Sequence, residues 1–278
     1  MFRYFWMEGK DIPAGVGFGH FTAKHILMLL LCAVFITVLT LWFKKQPLRR
    51  QNTFLKILAC LMLAENLVRD LFLLIIGRMS LGYLPLHLCS FSIFVYLLHA
   101  FLPESYNDTV MTLNPANGRY FAVRDPEYSE SSGIHQSPFR EALGEIGFVL
   151  LLPGTVCALL FPDWSSYPIL NFMSLHSFLW HAVLSAYPVL LLVSGRIHPT
   201  IHHFWYPFAF LLVFVPPVWL FDVLTGYNYL FVLFPPAGTP LAWIYSYMGG
   251  AWRLGYALLT AVVILAVYGG IELVRYFK

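Results

Sequence analysis

A histidine and a cysteine lie two residues apart in the apolar stretch LPLHLCSF, residues 84–91, and both side chains can do chemistry. A cysteine becomes a nucleophile when a neighbouring base, usually a histidine, removes its proton. At about 100° per residue on a helix, His87 and Cys89 point about 200° apart and cannot act on one atom. Cys89 therefore needs a base from another part of the chain.

A second polar pattern lies about ninety residues downstream, where Ser174, Ser177, His181 and Ser185 follow an i, i+3, i+7, i+11 spacing. Residues at this spacing share one face of a helix. Small serines allow helices to pack closely, which explains the serines but not the histidine. The stripe predicts that His181 faces the protein interior and is the base for Cys89.

The composition indicates the class of protein that surrounds these groups. The chain has 278 residues, of which 59% are hydrophobic and 11% are charged, whereas soluble domains carry about 25% charged residues. A polytopic membrane protein is the class that fits. The net charge of +3 and the absence of a basic block predict no nucleic-acid partner. The four cysteines form no CxxC pair, which argues against a zinc knuckle or a disulfide framework.

Seven stretches approach the roughly 20 apolar residues that a transmembrane helix needs. They cover residues 22–43, 54–77, 83–102, 145–161, 168–194, 204–221 and 253–273. We predict an all-α polytopic membrane protein, with about seven transmembrane helices in one bundle and a single domain over residues 1–278. Residues 103–140 are polar and predict a mobile cytoplasmic loop. Its Asn107 begins an NDT triplet of the glycosylation type, which we attribute to chance on that side.

The distribution of positive charge predicts the orientation. Lys and Arg accumulate in cytoplasmic loops. With the loop around residues 44–56 placed inside, eleven of the 17 basic residues are cytoplasmic. The N-terminus is then outside and the C-terminus inside.

With this orientation, most polar groups within the spans collect in the outer half of the membrane. They are His25, Arg69, Asp70, His87, Cys89, His176, Asp222 and Asn228, with Glu65 and His181 near mid-membrane. Ionisable groups in a bilayer are costly, so each is a functional candidate. The i,i+4 spacing predicts an ion pair of Glu65 with Arg69 and a contact of Asn66 with Asp70. The clustering predicts an outward-facing site.

Two other functions remain open from the residues alone. His25, His87, His176 and His181 with Asp70 or Asp222 could ligate zinc in a seven-helix lipid hydrolase, although no two of them have local metal spacing. A transporter or lipid-binding protein is the non-enzymatic alternative, although the prolines lie mostly near helix ends.

Several motifs carry a resemblance to a known family. They are FGHFTAKHI, LPLHLCSF, GTVCALLFPDW, HSFLWHAVLSAYPVLLLVSG and TGYNYLFVLFPPAG, in this order along the chain. Together they resemble the YwaF-type bacterial integral membrane family, which is related to a eukaryotic family of transmembrane lipid acyltransferases. Residues 103–140 are longer than usual for that family.

The resemblance implies a phospholipid acyltransferase of the bacterial plasma membrane, with Cys89 and His181 as the catalytic pair. It implies membrane phospholipids and a lysophospholipid acceptor as partners, an acyl-thioester intermediate, and neither cofactor nor metal. The candidates to hold the phosphate or the oxyanion are His87, Arg69, Asn228, His176, His25 and Asp70. Hydrolysis is the same chemistry with water as the acceptor.

Overall fold

The computed structural model describes residues 2–106, 109–114, 119–124 and 134–277. Helices dominate the described part of the chain, and short 3-10 turns join several of them. The helices are α1 (Ala23–Lys44), α2 (Leu48–Ile75), α3 (Leu88–Phe101), α4 (Pro138–Ile146), α5 (Leu152–Leu160), α6 (Phe172–Val193), α7 (Trp205–Thr225), α8 (Pro240–Met248) and α9 (Trp252–Tyr276).

The predicted class of an all-α membrane protein is confirmed, but the number seven is not. In the described residues, five helical segments are long and apolar enough to span a bilayer: 23–44, 138–166, 172–193, 201–225 and 240–276. Helix α2 has 28 residues but carries Glu65, Arg69 and Asp70. Helix α3 has 14 residues, which is about 21 Å at 1.5 Å per residue and shorter than the roughly 30 Å apolar core.

Helix α3 begins later than the predicted start at residue 83. A 3-10 turn ends at Tyr83, Leu84 is extended with φ −59° and ψ 149°, and the helix starts at Leu88. The reason is Pro85, because a proline disfavours the helical region for the residue before it. Cys89 therefore lies in the first turn of α3 and not two turns into a longer helix.

Helix α6 lies at the centre of the bundle. In its apolar window 72% of the residues are buried, compared with 11% in α1. It packs against α1, α2, α3 and α5. Helices α4 and α5 join through a π-helical turn at Gly147–Leu151, where a Cβ atom on Gly147 would lie 2.9 Å from the Tyr96 ring.

The segment predicted as a polar loop contains two short antiparallel strand pairs. Strand β1 (Glu104–Tyr106) pairs with β4 (Ile134–Gln136), and β2 (Thr109–Asn114) pairs with β3 (Arg119–Arg124). Asn107, the first residue of the NDT triplet, lies outside the described residues. The cytoplasmic position of the segment stays a prediction.

A buried ion cluster fixes strand β1 to the helices. The fully buried Glu104 carboxylate forms ion pairs with Arg140 and with Arg196, whose Nη2 is 2.9 Å from Oε1. Arg196 also donates to Gln51 Oε1 at 2.8 Å, and Arg140 Nε donates to the carbonyl of His99 at 2.8 Å. The cluster therefore joins α2, α3, α4 and the end of α6 to the strand pair.

The Glu104→Gln substitution would leave two buried guanidinium groups without a counter-charge. We expect the free energy of unfolding to fall by about 3–5 kcal/mol, the typical cost of breaking a buried ion pair. Denaturant unfolding in detergent micelles measures this. The control is Glu141→Gln, whose partner His198 is 67% exposed; it should change stability by less than about 1 kcal/mol. Equal stability of the two variants would show that the cluster does not hold the fold.

Candidate active site

Cys89 lies at the amino end of α3, where backbone N–H groups point along the helix axis without intrahelical acceptors. The N-cap residue is His87, and its side chain makes no capping hydrogen bond. The Cys89 thiol interacts with its own backbone N–H. A helix amino end stabilises negative charge, so this position offers N–H donors to an oxyanion.

The Cys89 side chain is partly exposed, although it packs against the main hydrophobic core. Cys32, in contrast, is buried, and its sulfur faces the carbonyl of Phe178 at 3.7 Å. Cys60 and Cys157 are exposed on the bundle surface. Among the four thiols, Cys89 is the one that lies in the first turn of a helix and is neither fully buried nor exposed.

His181 is buried in α6 with one ring nitrogen committed. Its Nδ1 lies 2.7 Å from the carbonyl oxygen of Ser177. A carbonyl accepts hydrogen bonds but cannot donate them, so Nδ1 carries the hydrogen and Nε2 of the neutral ring keeps its lone pair. This is the tautomer that a general base requires.

The turn at Asp163–Ser166 approaches both Cys89 and His181. The Asp163 carboxyl interacts electrostatically with the Cys89 thiol. The adjacent Trp164 stacks on the His181 ring, with centroids 4.9 Å apart and planes at 19°. His181 also interacts with His87, two residues before Cys89. These contacts, with the packing of α3 on α6, bring the two predicted catalytic residues into one region.

The N-terminal segment holds this turn in place. The N–H groups of Phe18 and Gly19 donate to the carbonyls of Tyr167 and Ser165 at 3.0 and 3.1 Å. Gly17 permits the close approach, because a Cβ atom there would lie 2.6 Å from the Ser165 oxygen. A cavity of about 400 Å³ lies between this segment and residues 165–167.

Glu8 anchors the N-terminal segment by hydrogen bonds to two tyrosines. Its Oε1 accepts hydrogen bonds from the hydroxyls of Tyr83 at 2.9 Å and Tyr167 at 3.1 Å. Burial and the nearby Glu8 charge raise the pKa of Tyr167 to about 12, so its hydroxyl remains a donor at neutral pH. The segment thus covers the end of the bundle where Cys89 lies.

The polar residues of α2 pair differently from the prediction. Arg69 donates from Nε and Nη2 to Asp70 Oδ1 at 2.9 and 2.6 Å, and from Nη2 to the Tyr83 carbonyl at 3.1 Å. The predicted pair of Glu65 with Arg69 is wrong, since both Glu65 carboxylate oxygens are buried without a hydrogen-bond partner in the described residues. The predicted contact of Asn66 with Asp70 is confirmed at 2.9 Å.

His176 and His87 lie beside this group without direct ion pairs. The His176 Nε2 lies 3.1 Å from the carbonyl of Glu65, and its ring stacks on Trp180. The His87 ring packs against Tyr229 and Phe231, with centroids 4.9 and 5.3 Å away. Both histidines interact electrostatically with Arg69, so they belong to the same polar region.

Two candidates have structural roles away from the pair. His25 uses both ring nitrogens: Nδ1 accepts from the Phe21 N–H at 2.9 Å, and Nε2 contacts the Leu159 carbonyl at 2.8 Å. Asn228 closes a local turn by accepting from the Leu233 N–H and donating to the Phe234 carbonyl. Neither side chain is available to a substrate at Cys89.

The ligand set of the metal alternative does not converge. Within the described ranges, no group of three or more His, Cys, Asp or Glu side chains is arranged to hold a metal ion. His25 and His176 each bond a backbone carbonyl. Asp222 is fully buried near the end of α7, and neither of its carboxylate oxygens has a hydrogen-bond partner in the described residues.

Sequence reasoning missed Asp163 and Trp164. Both lie at the end of the motif GTVCALLFPDW, which contributed to the resemblance without a role for either residue. The signal was present, because a Pro-Asp-Trp sequence at the end of an apolar helix places a carboxylate and an indole at a turn. Asp163 and Trp164 interact with residues of α3 and α6, and no pattern in the local sequence predicts these interactions.

The TMEM164 family model matches residues 20–271. The chain belongs to the TMEM164 family. The matched range contains α1 to α8, most of α9 and both proposed catalytic residues. No curated protein and no solved structure matches the chain. The match supports an integral membrane protein of this family, and it does not supply the YwaF name or a bacterial origin.

The tautomer of His181 predicts the reactivity of Cys89. In His181→Phe the ring stack on Trp164 remains but the base is lost, so alkylation of Cys89 by iodoacetamide at neutral pH should slow about tenfold or more. Peptide mass spectrometry measures the rate at each cysteine, with Cys60 as the internal reference. His176→Phe is the matched control and should leave the Cys89 rate within about twofold. An unchanged rate in His181→Phe would remove His181 from the role of base.

Proposed function

We propose that this TMEM164-family protein is a membrane acyltransferase that moves a fatty acyl group from a phospholipid to a lysophospholipid. The single observation that carries the proposal is the placement of Cys89 in the first turn of α3, which packs against the helix that holds His181 in the basic tautomer. The motif resemblance described above also supports it. The turn at Asp163–Ser166 links the two residues.

The reaction consists of two transfers at one sulfur. His181 Nε2 takes the Cys89 proton, and the thiolate attacks the ester carbonyl of the donor lipid. A C–S bond forms and the carbonyl π pair moves to oxygen. When the pair returns, the C–O bond to glycerol breaks, and the lysolipid oxygen takes the proton from His181. The acyl-thioester then reacts with the hydroxyl of an acceptor lysolipid by the same steps in reverse.

The amino end of α3 supports the charged states of this reaction. Free N–H groups in the first turn stabilise both the thiolate and the oxyanion. Their effect is large in a site that excludes water, since opposite partial charges interact more strongly at low dielectric. The partial exposure of Cys89 provides the access that a lipid ester needs.

Arg69 and His87 are the proposed contacts of the lipid phosphate. Arg69 is 12% exposed and holds Asp70, so its guanidinium is fixed in orientation. A guanidinium binds phosphate through paired N–H donors. His87 adds a ring beside it at the start of α3.

The orientation is part of the proposal. We place the N-terminus outside and the C-terminus in the cytoplasm, in the plasma membrane of a bacterium, on the charge distribution and the motif resemblance. The site then opens to the outer half of the membrane. Acyl-CoA is cytosolic, so a phospholipid is the donor that fits this position.

The Cys89→Ala substitution should abolish transfer. We expect at least a hundredfold loss of labelled acyl transfer between phospholipid and lysophospholipid, because no nucleophile remains. Wild-type protein should also carry a hydroxylamine-labile acyl group that the variant lacks. Cys60→Ala, which changes an exposed thiol in α2, is the control and should retain full activity. Transfer at the wild-type rate by Cys89→Ala would refute the covalent scheme, and release of free fatty acid in place of transfer would identify a hydrolase.

Arg69→Lys tests the phosphate contact. The lysine keeps the charge but loses the paired donors, so KM for the phospholipid should rise about tenfold while kcat changes less than about twofold. Arg78→Lys is the control, since Arg78 pairs with Asp11 at the surface and is 38% exposed. A thermal unfolding midpoint for each variant separates binding from folding. An unchanged KM in Arg69→Lys would assign Arg69 to structure alone.

A further inference from the structure

Trp164 carries a polar group that the fold leaves unused. Its side chain is 9% exposed, and the indole Nε1 is buried without an acceptor in the described part of the chain. A buried indole N–H normally finds a hydrogen-bond partner. A buried N–H without an acceptor lowers the stability of the fold by about 1–3 kcal/mol. Such a group therefore needs a physical explanation.

The indole ring is fixed in orientation. One contact is the stack on His181, and a second is the edge of Phe178, with centroids 5.8 Å apart and planes at 83°. The backbone on either side is anchored, since the Tyr167 N–H donates to the Trp164 carbonyl and Gly19 holds Ser165. The unmet N–H therefore points in one direction and cannot rotate toward another partner, as a hydroxyl can.

The Trp164 indole lies in the same region as the proposed base and the proposed nucleophile. Trp164 contacts the proposed base directly, and the preceding Asp163 interacts with the proposed nucleophile. Other buried side-chain groups also have no partner in the described residues, among them the Ser174 and Tyr96 hydroxyls and the Glu65 and Asp222 carboxylates. A hydroxyl can donate or accept and an ionised carboxylate can only accept, whereas an indole N–H can only donate. Among these groups, Trp164 is the one that stacks on the proposed base.

We infer that the Trp164 Nε1–H is an oxyanion donor of this active site, a role that rests on the proposed function. The ligand is the carbonyl oxygen of the phospholipid ester. When the Cys89 thiolate forms the C–S bond, the carbonyl π pair moves to that oxygen, and the indole N–H and the N–H groups at the start of α3 hydrogen-bond to the charge. No proton leaves the indole. The donor loses its hydrogen bond again when the thioester carbonyl forms and the lysolipid departs with the proton from His181.

Two reactions of the same thiol separate an oxyanion donor from a structural residue. Alkylation of Cys89 by iodoacetamide is a direct displacement and forms no oxyanion. Acylation of Cys89 by p-nitrophenyl decanoate passes through one. In Trp164→Phe the ring still covers His181 and only the N–H is lost. Removal of one oxyanion-hole donor lowers the rate about 10²- to 10³-fold, so we expect acylation to fall by about this factor while alkylation stays within about twofold.

A matched control is available in α9. Trp252 is 2% exposed and stacks on Tyr256 with planes at 7°. Trp252→Phe removes an equally buried indole and should change neither rate by more than about twofold. Both reactions are measured on the full chain in detergent micelles, with peptide mass spectrometry at Cys89.

The outcomes distinguish the inference from the function on which it rests. Selective loss of acylation in Trp164→Phe supports the donor role. Equal loss of both reactions would show that Trp164 only positions the pair, and unchanged rates would show that its N–H is not used; each overturns the inference and leaves the proposed function standing. A wild-type protein that alkylates at Cys89 but never acylates there overturns both.

Discussion

The structure depends on one constraint: a helix surrounded by other helices must satisfy its polar groups within the protein. Helix α6 is the most buried of the membrane-spanning segments in the described part of the chain, and it carries two histidines and a serine stripe. Water does not reach the middle of such a helix. His181 therefore bonds the carbonyl of Ser177 four residues earlier, and this bond decides which ring nitrogen is left for chemistry.

The same constraint divides the bundle into two ends with different properties. At the end where β1 docks, the buried Glu104 carboxylate forms ion pairs with two buried arginines. At the end where α3 begins, the N-cap residue His87 makes no side-chain capping bond, and the Trp164 indole N–H has no acceptor in the described residues. Buried ion pairs thus hold one end of the bundle, and the other end presents donors that a ligand can complete.

The start of α3 illustrates how a local residue sets the position of a distant site. Pro85 prevents the helix from beginning earlier, and this brings Cys89 into the first turn. If the helix started at residue 83, the Cys89 N–H would bond within the helix and could not stabilise a thiolate. The glycine at position 17 acts similarly, because it lets the N-terminal segment approach the backbone of Ser165.

The sequence was sufficient for features that arise from local periodicity. The apolar run at residues 22–43 predicted α1 to within one residue at each end, and the stripe of Ser174, His181 and Ser185 faces the interior as predicted. Local spacing failed where a nearer partner competed, since Arg69 bonds the adjacent Asp70 and not Glu65.

Contacts between distant segments were beyond the sequence. Trp164 contacts His181 through the packing of two segments that are separate in the sequence. No sequence pattern within either segment predicts that contact. Depth and helical face predict the pairing of Cys89 with His181, which stays a prediction. The contact of Trp164 with His181, and the indole N–H without an acceptor in the described residues, could not be predicted, because packing determines whether a polar atom finds a partner.

The most direct test of the account is to find the acyl group on the sulfur. Wild-type protein is incubated with a phospholipid that carries an isotopically labelled acyl chain, without acceptor, quenched in acid, and digested for peptide mass spectrometry. The account predicts the labelled acyl mass on the peptide that contains Cys89, its release by hydroxylamine, and its loss when lysophospholipid is added before the quench. Acyl transfer that proceeds while Cys89 stays unmodified, or an acyl group on another residue, would contradict it.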